Sequence, residues 1–311
     1  MIGLTLKHVR YFDALARNGH FGRAAQACGI SQPVLSVQIR ELEAMLGAPL
    51  VERLSRRIRL TPLGQDFLVR ARRILVEVSE LDELVRSAEG PLAGRLRLGV
   101  IPTIAPYLLP DVIRALSGRM PALDLQPREA ITPSLISDLL DSRLDAAIVA
   151  LPISETALQE CALFDENFFL LRPLSEADKP VPSPSGLRKM RLLLLAEGHC
   201  FRDQALSYCQ MTKSEPRQVM EGSSLSTLVQ MVGAGMGVTL VPQMALQLET
   251  RSAPVSVARF SPPRPSRTVG MVWRKTNPLA DRLQDISTLV REVGLSKQDE
   301  KNPNWLGTLD A

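Results

Sequence analysis

Apolar positions near the start of the chain recur with a helical period. Leu6, Val9, Phe12 and Leu15 follow one another every third residue behind Thr5 and predict a first helix. A second, short helix is predicted from Gly22 to Cys28. Gly29-Ile30 reads as a tight turn, and Ser31 as the cap of a third helix whose Leu35, Ile39, Leu42 and Leu46 share one face. This is helix-turn-helix spacing. At about 100° per residue, the third helix turns Pro33, Ser36, Val37 and Arg40 away from that core and towards a groove. Val51-Glu52-Arg53 and Ile58-Arg59-Leu60 then flank Ser55-Arg56-Arg57, which predicts a small hairpin or wing with arginines at its tip.

A longer stripe follows. After Thr61-Pro62, a cap and the proline favoured in a first helical turn, Leu63, Phe67, Ala71, Ile74, Val78, Leu81 and Val85 recur in steps of four or three. The short elements before it offer too little surface to cover so long a stripe, so the expected partner is the same helix of a second subunit, with packing on its own body as the alternative. The run Glu89-Gly90-Pro91-Leu92-Ala93-Gly94 ends the helix as a hinge.

From Arg95 the pattern changes to strand-like runs alternating with helices. Leu96–Ile101, a helix around Leu108–Leu116, a strand around Leu125, a helix Ser134–Leu140 and Leu144–Leu151 form one βαβ succession. Leu192–Ala196, a helix Arg202–Cys209, Gln218–Glu221, a helix Ser224–Val232 and Gly237–Val241 form another. Two mostly parallel α/β halves imply a cleft between them. Lys179–Ser185 and Ser261–Ser266 read as loops, and the chain from Ser296 onward as a loose polar tail.

Composition narrows the function. With 45% hydrophobic and 23% charged residues in 311, the chain can bury several cores. No stretch reaches the roughly 18 apolar residues of a membrane helix. Lys7, His8, Arg10 and Asp13 stand where a signal peptide would be apolar, so the expected place is the cytoplasm, with no membrane partner. Of 37 Lys/Arg and 33 Asp/Glu, residues 1–73 hold 12 and 5, leaving 25 and 28 for the remainder. A basic head on a near-neutral body points to a polyanion, most often nucleic acid. Four cysteines without a CxxC pair exclude a disulfide scaffold and a zinc ribbon. His8 and His20 have no partner at metal spacing, so neither metal nor cofactor is expected.

The ordered set Phe12-x2-Leu15, Gly19-His20-Phe21, Ala24-Ala25, Ser31-Gln32-Pro33-x-Leu35-Ser36, Ile39-x2-Leu42-Glu43, Leu46-Gly47, Leu50, Glu52-Arg53 and Thr61-Pro62-x-Gly64 resembles the head of LysR-type transcriptional regulators. The resemblance implies a winged helix-turn-helix head over 1–61 and a linker dimerisation helix with its hinge over 62–90. It further implies an effector domain over 91–295 built of two Rossmann-like halves, like a type 2 periplasmic binding protein, with the tail at 296–311. Half I would take about 91–166 and 268–295, and half II about 167–267. Homodimers or homotetramers acting on promoter DNA through RNA polymerase are implied as well. On the residues alone, Gln32, Ser36, Gln38 and Arg40 present hydrogen-bonding groups to a major groove, with Pro33 beside them. Arg23, Arg53, Arg56 and Arg57 suit phosphates or a minor groove. Ser31 reads as a cap more than a base reader.

The most specific segment is Gly198-His199-Cys200-Phe201-Arg202-Asp203-Gln204-Ala205, with Cys209 nine positions after Cys200. It is similar to the redox segment of the peroxide-sensing branch of the LysR family. Ile101-Pro102-Thr103, Glu129-Ala130 with Thr132, Leu163-Phe164-Asp165-Glu166 and Arg267-Thr268-Val269-Gly270 match elsewhere in the effector domain. Read physically, Cys200 follows a strand and opens a helix, where free N–H groups and the dipole favour a thiolate, helped by His199 and Arg202. The resemblance assigns peroxide orientation to Thr103 and Thr132, places Asp203 in the thiolate's surroundings and lets Arg267 support the thiolate or its loop. As helix caps, the two threonines have a simpler role. It also implies hydrogen peroxide as effector, reversal by a cellular thiol reductant of the glutaredoxin or thioredoxin type, and activation of oxidative-stress genes.

Nine residues of continuous helix span about 13.5 Å. A disulfide tolerates about 7 Å between Cα atoms, so the helix must unwind before Cys209 can reach Cys200. Cys28 reads as a small core residue and Cys161 as a strand residue without redox function. Two other readings stay open: a LysR-type regulator of a small metabolite in the cleft, with incidental cysteines, and a thiol peroxidase carrying a DNA-like head. A non-enzymatic regulator is the expectation.

Overall fold

The computed structural model describes residues 3–53, 58–87, 94–209 and 220–299. The chain forms two compact units that divide between Val85 and Arg86.

The first unit holds α1 (Leu6–Asn18), α2 (Phe21–Ala27), α3 (Gln32–Leu46), the antiparallel pair β1 (Val51–Arg53) and β2 (Ile58–Leu60), and α4 (Pro62–Ser87). Phe12, Leu15, Ala24, Leu35, Ile39, Leu42 and Leu50 make its core, as the period requires. Thr5 and His8 close a capping box at the start of α1, and the His20 ring accepts from the Gly22 N–H at 3.0 Å at the start of α2. Ser31 occupies the cap position of α3 with extended backbone, but its hydroxyl makes no capping bond. Pro33, second in the helix, lacks one of the two N–H groups such a hydroxyl takes. Glu43 Oε1 accepts from Leu50 N and Val51 N at 2.8 and 3.1 Å, fastening β1 to α3.

α4 begins as its sequence demands, with the Thr61 hydroxyl accepting from Gly64 N at 2.9 Å and Pro62 in the first turn. Its first turns close on the head: Phe67 packs edge-on against Phe12 at 5.3 Å, Ala71 is buried, and Arg72 reaches the buried Asp13 at 3.1 Å. Leu63, Ile74 and Leu81, members of the same stripe, remain exposed in this chain.

The second unit contains β3 (Gly94–Val100), α5 (Ala105–Arg119), β4 (Leu123–Glu129), α6 (Thr132–Leu140), β5 (Ala146–Leu151), β6 (Leu158–Pro173), α7 (Pro184–Leu187), β7 (Leu193–Leu195), α8 (Cys200–Tyr208), β8 (Met220–Gly222), α9 (Leu225–Gly233), β9 (Thr239–Pro242), α10 (Gln243–Glu249), β10 (Val255–Arg259), β11 (Ser266–Arg274) and α11 (Ala280–Asp299). Two α/β lobes with separate cores result, one around Leu98, Ile148, Met271 and Ile286, the other around Leu170, Leu194, Val229 and Leu240.

The expectation of mostly parallel sheets is corrected. Among the described strands β3–β4, β3–β5 and β7–β8 pair in parallel, with one isolated parallel bridge from Leu192 to Val238, whereas β11 runs antiparallel to β5 and β6, and β6 antiparallel to β9 and β10. The reason is the sixteen-residue β6, which no alternation rule marked as one strand. Its residues through Asn167 pair with β11 in the first lobe, and from Phe168 it pairs with β9 and β10 in the second. A strand that crosses between lobes joins both sheets into one seven-stranded, mixed arrangement. Of the loose tail expected from Ser296, the first residues extend α11 to Asp299, where Lys297 pairs with Asp111 and Gln298 donates to the Asp165 carbonyl at 2.6 Å, and 300–311 lie outside the described residues.

The first turn of α4 tests the closeness of the head. A Cβ on Gly64 would lie 2.1 Å from the Leu50 carbonyl oxygen, a backbone atom fixed by β1. Gly64→Ala is expected to destabilise the head by about 1–3 kcal/mol, seen as an earlier thermal transition, and an unchanged melting profile would contradict this packing.

Candidate functional site

Two groups of side chains carry chemistry. In the head, Gln32, Pro33 and Arg40 are exposed on α3, while Ser36 and Gln38 are half-buried. The Arg40 Nε donates to the Ser36 carbonyl at 3.2 Å, laying its stem along the helix, and Gln38 donates to Glu41 at 2.6 Å. Arg23 Nη2 donates to the Asn18 carbonyl at 2.7 Å. Arg53 ends β1, but its side chain lies outside the described residues, as do Arg56 and Arg57 entirely.

In the second unit the site starts where β6 changes lobe. Glu166 and Arg267 are cross-strand partners there, both side chains fully buried, paired at 2.8 Å. Arg267 Nη1 donates to the Thr103 hydroxyl at 2.8 Å, and Nη2, also in the ion pair, to the Thr103 carbonyl at 3.0 Å. Glu166 Oε1 accepts from Met244 N at 2.7 Å, in the first turn of α10. One carboxylate and one guanidinium thus bind β6, β11, the turn after β3 and α10. Removed from water, such a pair persists because nearly every donor and acceptor is matched.

The Arg267 guanidinium also lies 5.9 Å from the centre of the Phe201 ring, which meets Phe168 edge-on at 4.9 Å. Phe201 is the second residue of α8; Cys200 is the first, among the free N–H groups of the opening turn. The two neighbours face different lobes. Phe201 belongs to the core of the second, whereas Cys200, half-buried, packs against the core of the first.

The approach to Cys200 is held by Gly198 at φ +92°, where a Cβ would come within 2.7 Å of Ile131 Cδ1. Ile131 immediately precedes Thr132, which opens α6. The Thr132 hydroxyl is buried and has no hydrogen-bond partner among the described residues, so the helix-cap role is not the one it fills.

Burial lowers the affinity of the His199 ring for a proton, and Glu129 opposes this more weakly. Arg202 has its own partners, Leu195 O and Glu221, both at 2.8 Å, so it fastens α8 to β7 and β8. Asp203 lies exposed in the first turn of α8. Cys209 ends the helix with no exposed surface, and burial pushes its thiol up to about 11. All four cysteines are free thiols: Cys28 caps the end of α2 and Cys161 sits on β6, 3.4 Å from the Ser287 hydroxyl.

Comparison with known proteins matches both units. Residues 6–65 fit the bacterial regulatory helix-turn-helix protein, lysR family, and residues 89–294 the LysR substrate binding domain. The chain belongs to the LysR family of transcriptional regulators. This LysR regulator is 42% identical to a probable hydrogen peroxide-inducible genes activator of Streptomyces viridosporus, over 93% of this chain and 94% of the relative. Among solved structures it is similar to a full-length OxyR cysteine variant from Pseudomonas aeruginosa, with a TM-score of 0.71, 37% identity, and coverage of 93% and 95%. A Corynebacterium glutamicum OxyR cysteine variant with hydrogen peroxide bound gives 0.63 at 33% identity, covering 94% and 93%.

Sequence reasoning on the regulator's residues missed the roles of Phe201, Gly198, Ile131 and Met244. Glu166 was visible only inside a matched segment, since the strand crossing that pairs it with Arg267 has no local signal. Glu166→Ala would leave the Arg267 charge buried without its counter-ion. It is expected to cost about 3–5 kcal/mol in urea unfolding, and a loss below about 1 kcal/mol would show that the pair is not what joins the lobes.

Proposed function

We propose that this LysR regulator senses hydrogen peroxide through Cys200 and reports the event by a Cys200–Cys209 disulfide. The observation that supports it most is the placement of the two thiols. One opens α8 between the lobes, beside the unpartnered Thr132 hydroxyl's helix, and the other is buried in the second lobe's core at the far end of the same continuous helix.

The Cys200 thiolate attacks one peroxide oxygen, the O–O bond breaks, and the departing hydroxide takes up a proton to leave as water. Cys200 is then a sulfenic acid. Thr132 and the Thr103 hydroxyl, whose oxygen already accepts from Arg267 and whose own proton stays available, orient the peroxide. The Cys209 thiol next displaces water from the sulfenic sulfur, and a dithiol reductant of the glutaredoxin or thioredoxin type later returns two electrons.

The second step cannot occur on the helix as it stands, for the reason of span given above. Bringing the sulfurs together removes Cys200 from one core and Cys209, and with it Phe201, from the other. Re-exposing Phe201 alone costs about 1.5–3 kcal/mol. The bond holds the regulator in a second arrangement that the reduced chain does not keep.

In this reading α3 enters the major groove with Gln32, Ser36, Gln38 and Arg40 at base edges, Pro33 beside them, and Arg53, Arg56 and Arg57 on phosphates or in the minor groove. Exposed Ile74 and Leu81 pair α4 with its copy, giving a homodimer and a dimer of dimers. The assembly works in the cytoplasm, through RNA polymerase, as a sensor that reacts once per signal and not as an enzyme.

Peptide mapping after substoichiometric peroxide is expected to find Cys200–Cys209 alone, with DNA footprints on the same samples shifted. Cys200→Ser is expected to abolish the response, and Cys209→Ser to stop at sulfenic acid. In the reduced protein Cys209 should resist alkylation far longer than Cys200, since it is both buried and held as the thiol at neutral pH. A disulfide through Cys28 or Cys161, or a footprint indifferent to oxidation, would favour a metabolite-responsive regulator instead. Separately, Asp at both Ile74 and Leu81 is expected to yield monomers by sedimentation, because two charges would be buried in the seam; an intact dimer would place the contact elsewhere.

A further inference from the structure

α3 carries two residues that neither the head's core nor hydrogen bonding explains. Val34 and Val37 are 47% and 44% exposed. They stand three apart in the first two turns, so they are neighbours on the helix surface. From the buried stripe of Leu35, Ile39 and Leu42, Val37 lies about 160° around the helix and Val34 about 100°. Val37 is therefore near the middle of the outward face, between Pro33 and Arg40, and Val34 forms its flank.

Exposed valine gains nothing from water, and β-branching lowers helix propensity. Two of them together on a helix start call for an apolar partner. The surroundings say which one. The face also carries Arg40 and belongs to a segment with 12 Lys/Arg against 5 Asp/Glu, so its occupant is polyanionic. Duplex DNA offers one apolar group on its major-groove edges, the C5 methyl of thymine. Residues near the start of a recognition helix are those that reach base edges.

We propose that Val37, with Val34 beside it, reads thymine methyl groups, so that this regulator's binding sites carry thymine where α3 meets the bases. The proposal rests on the DNA-binding reading of the head given above. It adds a contact that the hydrogen-bonding residues of α3 cannot make, since removing the methyl changes no donor or acceptor.

The test uses full-length protein and duplexes selected with it from a random pool. In the best binder each thymine is replaced in turn by deoxyuridine, which differs only in lacking the methyl. One or two such replacements per half-site are expected to weaken binding about three- to fivefold, the scale of one lost buried methyl. Val37→Ala protein, with thermal unfolding checked against the parent, is expected to bind thymine and uracil duplexes equally at one of those positions, and Val34→Ala at its neighbour. Parent protein indifferent to every deoxyuridine, or Val37→Ala as sensitive as the parent, would overturn the proposal. A changed oligomeric state in these variants with unchanged uracil sensitivity would overturn it too, by assigning the face to a second copy. Failure to select any duplex over random DNA would instead refute the DNA-binding reading itself.

Discussion

A single buried ion pair decides how the regulatory unit is put together. Glu166 and Arg267 face each other across β6 and β11 at the residue pair where β6 leaves the first lobe. Their remaining hydrogen bonds reach Thr103 and Met244, so four segments of chain meet on two side chains. A buried pair adds little net stability against an apolar alternative, but losing one partner is costly. What the pair contributes is a fixed position. It sets the Thr103 hydroxyl, and through the Phe201 ring it seats the start of α8, where Cys200 lies.

Against this fixed frame α8 is the element with a reason to move. It is short, and its first two residues belong to different cores. Burial pushes the thiol of Cys209, at its end, towards the protonated form. Each feature favours the helix while both sulfurs are reduced. In the proposed cycle apolar packing on one side is set against a covalent bond on the other. Gly198 contributes by its φ of +92° and by bringing its loop so close to Ile131 that a Cβ there would make the Ile131 Cδ1 turn aside.

The head is organised in the opposite way, by local fastening. Glu43 holds β1 to α3, Thr61 starts α4, and Asp13 binds Arg72 of α4 while also pairing with Arg17. These contacts hold the linker helix to the head at its base, while Ile74 and Leu81 further along stay uncovered in a single chain. The outward face of α3 is uncovered too, with apolar as well as polar groups, which is what a reader of base edges needs and an ordinary solvated helix does not.

The sequence by itself determined the head almost completely, because helices with caps, a turn and an apolar stripe are specified by residues close together in the chain. Leu35, Ile39 and Leu42 could be assigned to the core and Arg40 to the surface from their spacing alone. It also determined that Cys200 and Cys209 are too far apart along a helix to bond, since that follows from rise per residue. Tertiary structure decided what depends on distant pairing. The period of β6 does not reveal that it serves two sheets, so the antiparallel centre of the fold was misread as parallel. That Arg202 also reaches Glu221, nineteen positions on, followed from no local pattern. That burial makes the His199 ring harder to protonate was not legible either, because desolvation is a property of the neighbours that close over a ring and not of the residues beside it in the chain.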